Sequence, residues 1–583
     1  MDVVAMNILE STMLSICREM GITLMKTSYS TIFNEALDFT CVLADAEGDM
    51  SAAADFCPAH IGGMSVVIKA CVQEMASEHL EDGDVIVHND PYRGGLHTPD
   101  HTFFMPFFVD GQLMGYAVSI GHVAEIGGMV PGSFASEATE IFHEGIRIPP
   151  VKIKRGGKDV DQVWKLLLAN VRTPRHNYGD YRALISACEV GAGRMSVLIE
   201  KYGKNEFSQL VSDLMDYSEN RMRAEISDIP DGKYSFEDFM EDDGLSDTAY
   251  RVAVDVFVQA DELIVDFGRS DAQAPGAINA TLGVSSSAAF NAILHLTDPS
   301  IPRNSGCFRP VRVLAAPGSI ANVDYPAPEV GGNTETHLRL CYAVVGALST
   351  RLPERAFATD AGTHCNFLFG GTHPVTEEYY VCYDFMLGGW GGRPFADGHD
   401  TCNCINGNCR TVPVEVYETR YPWLVENLSF VDDSGGPGQF RGGLGSTKTL
   451  VCCSDEITIS HMGDRYKTAP WGLLGGEDGG KASLLIQRCG EGEWQNVCQI
   501  SGKISPSKFG NFAIRRGDKV RITNCGGGGY GRVSERLVTS LEEDILEGYV
   551  SKGEALDRYG YIPNAGRRGT RNNGRKPDAP SRT

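Results

Sequence analysis

The stretch TFFMPFFVDGQLMGYAVSIGHV, residues 102–123, carries the strongest fold signal in the sequence. Two apolar runs, Thr102–Val109 and Leu113–Val123, flank the dipeptide Asp110-Gly111. This dipeptide between apolar runs is typical of a β-hairpin with a two-residue turn, because both turn positions need a backbone conformation that Asp and Gly tolerate. The sequence therefore predicts a hairpin over this stretch.

The register of this hairpin brings three polar side chains together. With the Asp-Gly dipeptide as the turn, paired positions sum to 221, so His122 lies opposite Pro99, beside His97 and Asp100. A bulge at Pro106, which has no amide hydrogen for the ladder, would shift the pairing by one residue. The three side chains would still meet at the open end of the hairpin.

Two imidazoles and a carboxylate are a ligand set that Zn²⁺, Mn²⁺ and non-haem Fe²⁺ use in proteins. A second carboxylate such as Asp38, at the start of an apolar run, would complete four protein ligands. The same residue types are also typical of a strand end whose polar groups bond to backbone or water. Spacing alone leaves both interpretations open.

Outside the hairpin the sequence alternates between helical and strand-like segments. Apolar residues keep helical spacing from Val3 to Met20, and Gly21 is predicted to end this helix. Further helices are predicted at Val163–Val171, Tyr181–Tyr202, Ser286–His295, His337–Leu348 and Leu541–Val550, and strands at Phe39–Leu43, Asp84–Val87 and Lys519–Thr523. The expected fold class is α+β, with a large mixed α/β N-terminal catalytic region and a β-rich C-terminal third.

Changes in the sequence pattern along the chain predict four regions. A boundary near residues 230–232 separates an N-terminal metal-site region, 1–228, from a central α/β region, 229–409. A β-rich region with a final helix follows at 410–562. The basic tail, 563–583, is predicted to be disordered, because it has almost no apolar residues to bury.

Charge and cysteine content exclude several kinds of partner. The 583 residues include 52 Lys and Arg against 76 Asp and Glu, a net charge of -24 that repels nucleic-acid phosphates and anionic membranes. No run approaches the roughly 20 apolar residues that a membrane span needs, and the N-terminus lacks a basic signal-peptide region. We expect a cytoplasmic protein with reduced cysteines and no nucleic-acid or membrane partner.

Two further motifs carry weaker signals. The run GGGGYG at 526–531 contains G-x-G-x-x-G, but too little chain follows it for a dinucleotide fold, and there is no Walker A motif. If the reaction uses ATP, another chain is expected to bind it. The thiols Cys402, Cys404 and Cys409 match neither a zinc ribbon nor a common iron-sulfur pattern, so reduced loop thiols are favoured over a second metal.

Seven segments, in order, resemble the B-type subunit of the hydantoinase/oxoprolinase family, which includes N-methylhydantoinase, 5-oxoprolinase, caprolactamase, and acetone and acetophenone carboxylases. The segments are NDPYRGGLHTPD (89–100), GHVAEIGGMVPGS (121–133), ATEIFHEGIRIPPVK (138–152), VPVEVYETRYPWLVE (412–426), FRGGLGS (440–446), PWGLLGG (470–476) and GGGGYG (526–531). They span nearly the whole chain.

The resemblance implies a metal-containing subunit that works with an A-type, ATP-binding subunit in a hetero-oligomer such as α2β2. The implied activity is the ATP-dependent opening of a cyclic amide: a lactam, a hydantoin or 5-oxoproline. The family's ligands for a divalent ion (Zn, Mn or Fe) match Asp38, His97, Asp100 and His122. His60 matches a family histidine, which either lines the pocket or is a satisfied core residue.

Proton transfer and the type of reaction stay open. Glu140 and Glu144 are candidate proton acceptors, and surface carboxylates are the alternative interpretation. The carboxylase members of the family imply an alternative function, a subunit of an ATP-dependent acetone- or acetophenone-type carboxylase. A non-catalytic scaffold for the A-type subunit is a third hypothesis.

Overall fold

The structure is a computed structural model that describes residues 3–562, so the predicted tail, 563–583, lies outside the described residues. The helices in the described range are α1 (Val3–Thr27), α2 (Thr31–Asn34), α3 (Pro58–Glu74), α4 (Asp161–Ala169), α5 (Pro174–Tyr202), α6 (Lys204–Ser227), α7 (Leu282–Leu296), α8 (Ser305–Phe308), α9 (His337–Leu348), α10 (Val414–Arg420), α11 (Val497–Ser501), α12 (Val538–Glu547) and α13 (Lys552–Asp557). They include all the helices that the sequence predicts, and none in the described range is long and apolar enough to cross a membrane.

A seven-stranded sheet forms the N-terminal part and holds the predicted hairpin. Its strands are β1 (Phe39–Asp45), β2 (Met50–Ala53), β3 (Val85–His88), β4 (Asp100–Val109), β5 (Gln112–His122), β6 (Val151–Arg155) and β7 (Lys158–Asp159), in the order β2-β1-β5-β4-β3-β6-β7. Helices α1 and α5 pack together beside this sheet. The mixture of helices and sheets confirms the predicted α+β class.

The predicted hairpin is present, with the register of its bulged form. Asp110 and Gly111 have φ values of 50° and 74°, the left-handed conformation that a type I′ turn requires. The pairing shifts by one residue between Phe107 and Phe108, so Asp100 rather than Pro99 lies opposite His122. The shift lies one residue beyond Pro106, which itself pairs with Tyr116, and it leaves the polar group at the open end.

The prediction that Gly21 ends the first helix is wrong. Helix α1 continues to Thr27, and Gly21 is buried inside it. A Cβ at this position would lie 2.2 Å from the Phe56 ring, so the glycine allows that ring to pack against the helix. The glycine at position 21 is therefore explained by close packing against α1 and not by the end of the helix.

Three four-stranded sheets form the rest of the molecule. Their strands are β8 (Gly232–Met240), β9 (Tyr250–Gln259), β10 (Glu262–Asp266), β11 (Val311–Leu314), β12 (Asn366–Thr372), β13 (Tyr379–Asp384), β14 (Trp423–Phe430), β15 (Ser446–Cys452), β16 (Glu456–Met462), β17 (Ser483–Gln487), β18 (Lys508–Arg515) and β19 (Lys519–Thr523). The orders are β11-β10-β9-β8, β13-β12-β16-β18 and β14-β15-β19-β17. The second of these sheets joins strands from both sides of residue 410, and the region boundaries stay predictions.

Four glycine-rich segments, 388–392, 435–445, 472–480 and 525–531, pack backbone against backbone; we call them the glycine bundle. A Cβ at Gly442 would lie 1.9 Å from the Gly527 carbonyl oxygen, and one at Gly529 would lie 2.1 Å from the Pro437 carbonyl oxygen. The Gly527 amide donates to the Gly443 carbonyl oxygen at 2.9 Å, and the next two amides also donate to carbonyl groups. These amides are therefore not free to cradle a phosphate, which agrees with the rejection of a nucleotide site here.

Candidate metal centre

A small cavity of about 30 Å³ lies at the open end of the β4–β5 hairpin. Its lining residues are Asp38, Cys57, Ala59, His60, His97, Asp100, His122, Asn333, Thr334, His364, Tyr383, Phe385, Asn406, Gly407 and Cys409. All four predicted metal ligands and His60 are among them. The cavity is large enough for an ion and about one water molecule.

His97, Asp100 and His122 form a compact group of ligand atoms. All three side chains are 1% exposed, and their ligand atoms lie within 4.8 Å of one another. The His97 Nε2 atom is 3.0 Å from the Asp100 Oδ1 atom, and the His122 Nδ1 atom is 4.0 Å from the same oxygen. The His97 Nδ1 atom is 3.2 Å from the Val330 carbonyl oxygen, a contact that directs Nε2 into the cavity.

The chemistry of these donors fits a divalent ion. The Nε2 atoms of His97 and His122 and the Oδ1 atom of Asp100 are buried and have no hydrogen-bond partner. Buried polar atoms without a partner are costly, and most such groups in native proteins are satisfied. One ligand atom of each residue lies within 4.8 Å of the others, a spacing that fits one Zn²⁺, Mn²⁺ or Fe²⁺ ion held by an imidazole nitrogen of each histidine and the Asp100 carboxylate.

The β-sheet register places Asp38 beside this group. Strand β5 pairs with β1 so that Gly121 lies opposite Phe39, and the His122 amide donates to the Asp38 carbonyl oxygen at 3.1 Å. Leu37 has a φ of 64°, an uncommon left-handed conformation for a non-glycine residue. The Asp38 side chain lies with Cys57 and His60 in a second group whose ligand atoms are also within 4.8 Å of one another.

His60 connects the two groups. It lies in the first turn of α3, it is 2% exposed, and its Nε2 atom is 3.3 Å from the Asp100 Oδ1 atom. Its Nδ1 atom is buried without a hydrogen-bond partner. His60 therefore lines the cavity, and its role there stays a prediction.

Burial and neighbouring charges shift the pKa values of these groups in opposite directions. Burial lowers the pKa of His122 to about 3, so its ring stays neutral and its nitrogen lone pairs remain available to a metal. Burial alone would raise the pKa of Asp100, but His97, His60 and His122 together lower it to about 2. Burial likewise lowers the pKa of His60, yet Cys57 and Asp100 outweigh it and raise that pKa well above its usual value.

Two further groups of residues reach the cavity without a local sequence signal. The sequence predicts no role for Cys57, and it predicts only a reduced loop thiol at Cys409. The contact between these two side chains lowers the pKa of the Cys57 thiol well below its usual value and raises the pKa of Cys409. Asn333 lies in a π-helical turn before α9, and its amide donates to the Asp100 Oδ2 atom at 3.1 Å. Such turns are frequent at functional sites, but sequence periodicity does not reveal them.

An aromatic ring from strand β13 covers His122. The Tyr383 ring stacks on the imidazole with a centroid distance of 4.2 Å, and its hydroxyl donates to the Asn366 side-chain oxygen at 2.7 Å. This contact joins residues more than 250 positions apart in the sequence. No local pattern could have paired them.

The structure does not bring Glu140 or Glu144 to the cavity. The Glu140 side chain is 47% exposed, and its Oε1 atom lies 3.5 Å from the His143 Nε2 atom. Glu144 is fully buried behind the ligand loop: it accepts the amides of Glu329 and Val330, and the Thr98 hydroxyl donates to it at 3.0 Å. Burial raises the pKa of Glu144 to about 8.

A larger cleft, of about 460 Å³, lies elsewhere. It is lined by residues that include Glu125, His176, Asp180, Tyr379 and Arg420, and it shares no lining residue with the ligand cavity. It contains none of the predicted site residues. This cleft is larger than the ligand cavity, but the unpartnered ligand atoms favour the smaller cavity as the candidate site.

Comparisons with known proteins give the relatives of this chain. The family model described as "Hydantoinase B/oxoprolinase" matches residues 2–533. A relative from Pseudomonas sp. (strain NS671), the B-type subunit of a putative D-/L-hydantoinase, is 32% identical over 96% of this chain and 95% of its own.

Two solved structures have the same fold. A chain of the ATP-dependent caprolactamase from Pseudomonas jessenii is 29% identical, with a TM-score of 0.88 over 97% of each chain. A chain of the nucleotide-free acetone carboxylase structure has a TM-score of 0.87 over 96% of this chain and 80% of its own. The latter is 20% identical, so it supports the fold alone.

Proposed function

Because this chain belongs to the hydantoinase B/oxoprolinase family, we propose that it is the metal-binding subunit of an ATP-dependent enzyme that opens cyclic amides. The substrate would be a lactam, a hydantoin or 5-oxoproline. An A-type subunit would bind ATP, in a hetero-oligomer such as α2β2. The observation that carries the proposal is the group of buried, unpartnered ligand atoms of His97, Asp100 and His122.

A cyclic amide resists water because attack at its carbonyl carbon destroys amide resonance. Phosphoryl transfer from ATP to the amide oxygen would produce an imidate with a good leaving group, which lowers this barrier. When bound, a divalent ion supplies Lewis acidity and a water-derived nucleophile near neutral pH. Two subunits would thus divide activation and hydrolysis between them.

Residues of this chain would hold the ion and orient the reactants. Asp38, His97, Asp100 and His122 are the proposed ligands. The Val330 carbonyl group orients His97, and Asn333 restrains the Asp100 carboxylate. Tyr383 covers one face of His122 and keeps water from that side.

Of the three predicted catalytic residues, we propose that only His60 contacts the reacting atoms, because it alone lines the cavity. Its unpartnered Nδ1 atom is available to a proton from the attacking water or to the ring nitrogen that leaves. For Glu144 we propose a positioning role: it holds Thr98 and residues 329–330, and these lie next to His97 in the sequence or in contact with it. Glu140 has no proposed role in the reaction.

The test is co-expression with the A-type subunit, followed by ADP release measured against lactams, hydantoins, 5-oxoproline, and ketones with bicarbonate. We expect release with one or more cyclic amides, and none by this chain alone. ADP release only with a ketone and bicarbonate would instead establish the carboxylase alternative. Full amide turnover by a complex that carries His97→Ala would favour the scaffold hypothesis.

A further inference from the structure

We propose that Cys57 and Cys409, together with Asp38 and His60, form a second, thiolate-containing metal position beside the His97, Asp100 and His122 group. The inference concerns the same cavity as the proposed function: it shares Asp38 with the ligand set proposed above and adds Cys57, Cys409 and His60. With the second ion bound, His60 would act as a ligand in place of its proposed proton-transfer role. The inference does not require the proposed substrate or the ATP-binding partner. Its ion would be one that prefers thiolate and imidazole ligands, Zn²⁺ before Mn²⁺.

The ligand atoms of Asp38, Cys57 and His60 already lie close enough to bind one ion. They are all within 4.8 Å of one another. Two atoms bound to zinc at about 2.0–2.3 Å lie roughly 3.3–3.8 Å apart in a tetrahedron, so small side-chain movements would suffice. Cys57 is 5% exposed and His60 is 2% exposed, so both ligands lie in a protected site.

The start of helix α3 fixes two of these ligands. Cys57 is the residue before the helix, its amide donates to the Thr40 hydroxyl at 3.1 Å, and the His60 amide donates to its carbonyl oxygen at 3.1 Å. Both side chains therefore come from one rigid turn. The Nδ1 atom of His60 is buried without a hydrogen-bond partner, and its lone pair would bind the ion once the ring releases its proton to solvent.

Backbone contacts bring Cys409 to the same place. The Ala59 amide donates to the Asn406 carbonyl oxygen at 2.8 Å, and the Arg410 amide donates to the Ala36 carbonyl oxygen at 2.9 Å. The segment 406–410 is thus attached at one end to α3 and at the other end to the chain just before Asp38. Cys409 lies between these two attachments and lines the cavity.

The two groups are separate but adjacent. Cys402 and Cys404, the other thiols of the same sequence motif, do not line the cavity, so the motif contributes one ligand and not three. The His60 Nε2 atom is 3.3 Å from the Asp100 Oδ1 atom, so Asp100 stands between the two positions. Each thiol would release its proton to solvent when it binds the ion.

The experiment compares metal content and Co²⁺ absorption for the full chain and its variants. We expect wild-type protein loaded with Co²⁺ to show an intense thiolate-to-cobalt absorption band in the near ultraviolet. Cys57→Ser should abolish this band and remove about one ion per chain, and Cys409→Ser should weaken it. Cys188→Ser is the matched control, because this buried thiol lies elsewhere, beside Ser119.

The outcomes separate this inference from the proposed function. If His97→Ala loses an ion but keeps the thiolate band, there are two positions and the inference holds. If wild-type protein shows no such band and Cys57→Ser keeps the wild-type metal content, the inference is overturned while the His97 site stands. Isolation of Cys57 and Cys409 as a disulfide in protein that retains its full metal content would also overturn it.

A second measurement covers the case in which the variants do not fold. Alkylation of wild-type protein, followed by peptide mass spectrometry, should show that Zn²⁺ slows modification of Cys57 and Cys409 at least tenfold. The exposed Cys453 should react at the same rate with and without Zn²⁺. Equal rates at Cys57 under both conditions would refute the second position.

Discussion

The ligand hairpin and the glycine bundle reach their positions by opposite means. In the hairpin, the register of β1, β4 and β5 places Asp38, Asp100 and His122 together at one end of these three neighbouring strands. In the bundle, the absence of side chains lets backbones approach until carbonyl oxygens occupy the space of a Cβ. One region therefore depends on the identity of a few side chains, and the other on their absence at many positions. Substitutions should damage function in the first and folding in the second.

Among the proposed substitutions, one in the glycine bundle should have the largest effect, a loss of stability. Gly442→Ala would place a Cβ 1.9 Å from the Gly527 carbonyl oxygen, and the backbone of the neighbouring segment cannot move away without breaking its own hydrogen bonds. We expect a loss of stability above about 4 kcal/mol, or no folded protein, by thermal denaturation.

Gly193→Ala is the matched control for this variant. Gly193 lies in the interior of α5, and a Cβ at this position would have nothing within 4 Å of it, so alanine should stabilise the helix by about 0.5–1 kcal/mol. If Gly442→Ala unfolds at the wild-type temperature, the close packing described for the bundle is wrong.

Ligand removal should have the next largest effect, and it should leave the fold intact. His97→Ala or His122→Ala removes one proposed metal ligand and should reduce bound metal and amide-dependent ADP release by more than about 100-fold. Circular dichroism should stay at the wild-type level, because the stability of a chain this long comes mainly from apolar burial. His143→Ala, at a half-exposed histidine outside the cavity, is the control and should keep wild-type metal content.

The buried carboxyl group of Glu144 predicts a pH dependence of stability. Its pKa is about 8 in the folded chain against 4.5 for an ordinary Glu, so the folded state binds the proton more tightly. The contribution of this tighter proton binding to the free energy of unfolding is fully present below pH 4.5 and is lost as the pH rises through about 8. Glu144→Gln imitates the protonated group and should reduce a decline of roughly 1–3 kcal/mol between about pH 5 and 8. The buried neighbour Glu329, whose pKa burial also raises well above its usual value, retains the rest of the decline.

Chemical denaturation of the metal-free protein at several pH values would measure this decline. Glu140→Gln, at the half-exposed carboxylate of the same segment, should leave the wild-type pH profile unchanged. A Glu144→Gln profile parallel to that of the wild type would show that this carboxyl group is not protonated in the folded chain.

The smallest effect is expected at Asp38, because its side chain lies with the Cys57 and His60 group and not with His97. Asp38→Asn keeps an oxygen that can contact the ion and should weaken metal binding by roughly tenfold. Asp100→Ala should instead resemble the histidine variants. Equilibrium dialysis with Zn²⁺ would rank the two; an Asp38→Asn affinity as low as that of Asp100→Ala would contradict the order.

Local sequence patterns were sufficient for the hairpin, and therefore for most of the site. The Asp-Gly turn and the loop before β4 placed His97, Asp100 and His122 together, and the bulge changed the register without moving them apart. Asn333, Tyr383 and Cys409 reach the cavity from distant segments, through packing that no local periodicity encodes. Gly21 reads as a stop signal in the sequence, because the sequence does not distinguish a glycine that ends a helix from one that permits close packing.

The Asp38–His122 contact also offers a way to observe the site without a substrate. The His122 amide hydrogen is shared with the Asp38 carbonyl oxygen, and the Val123 amide hydrogen with the Pro99 carbonyl oxygen. Any opening of the ligand group must break one of these bonds and expose its hydrogen to solvent. The rate of hydrogen–deuterium exchange at these two amides therefore reports how often the site opens.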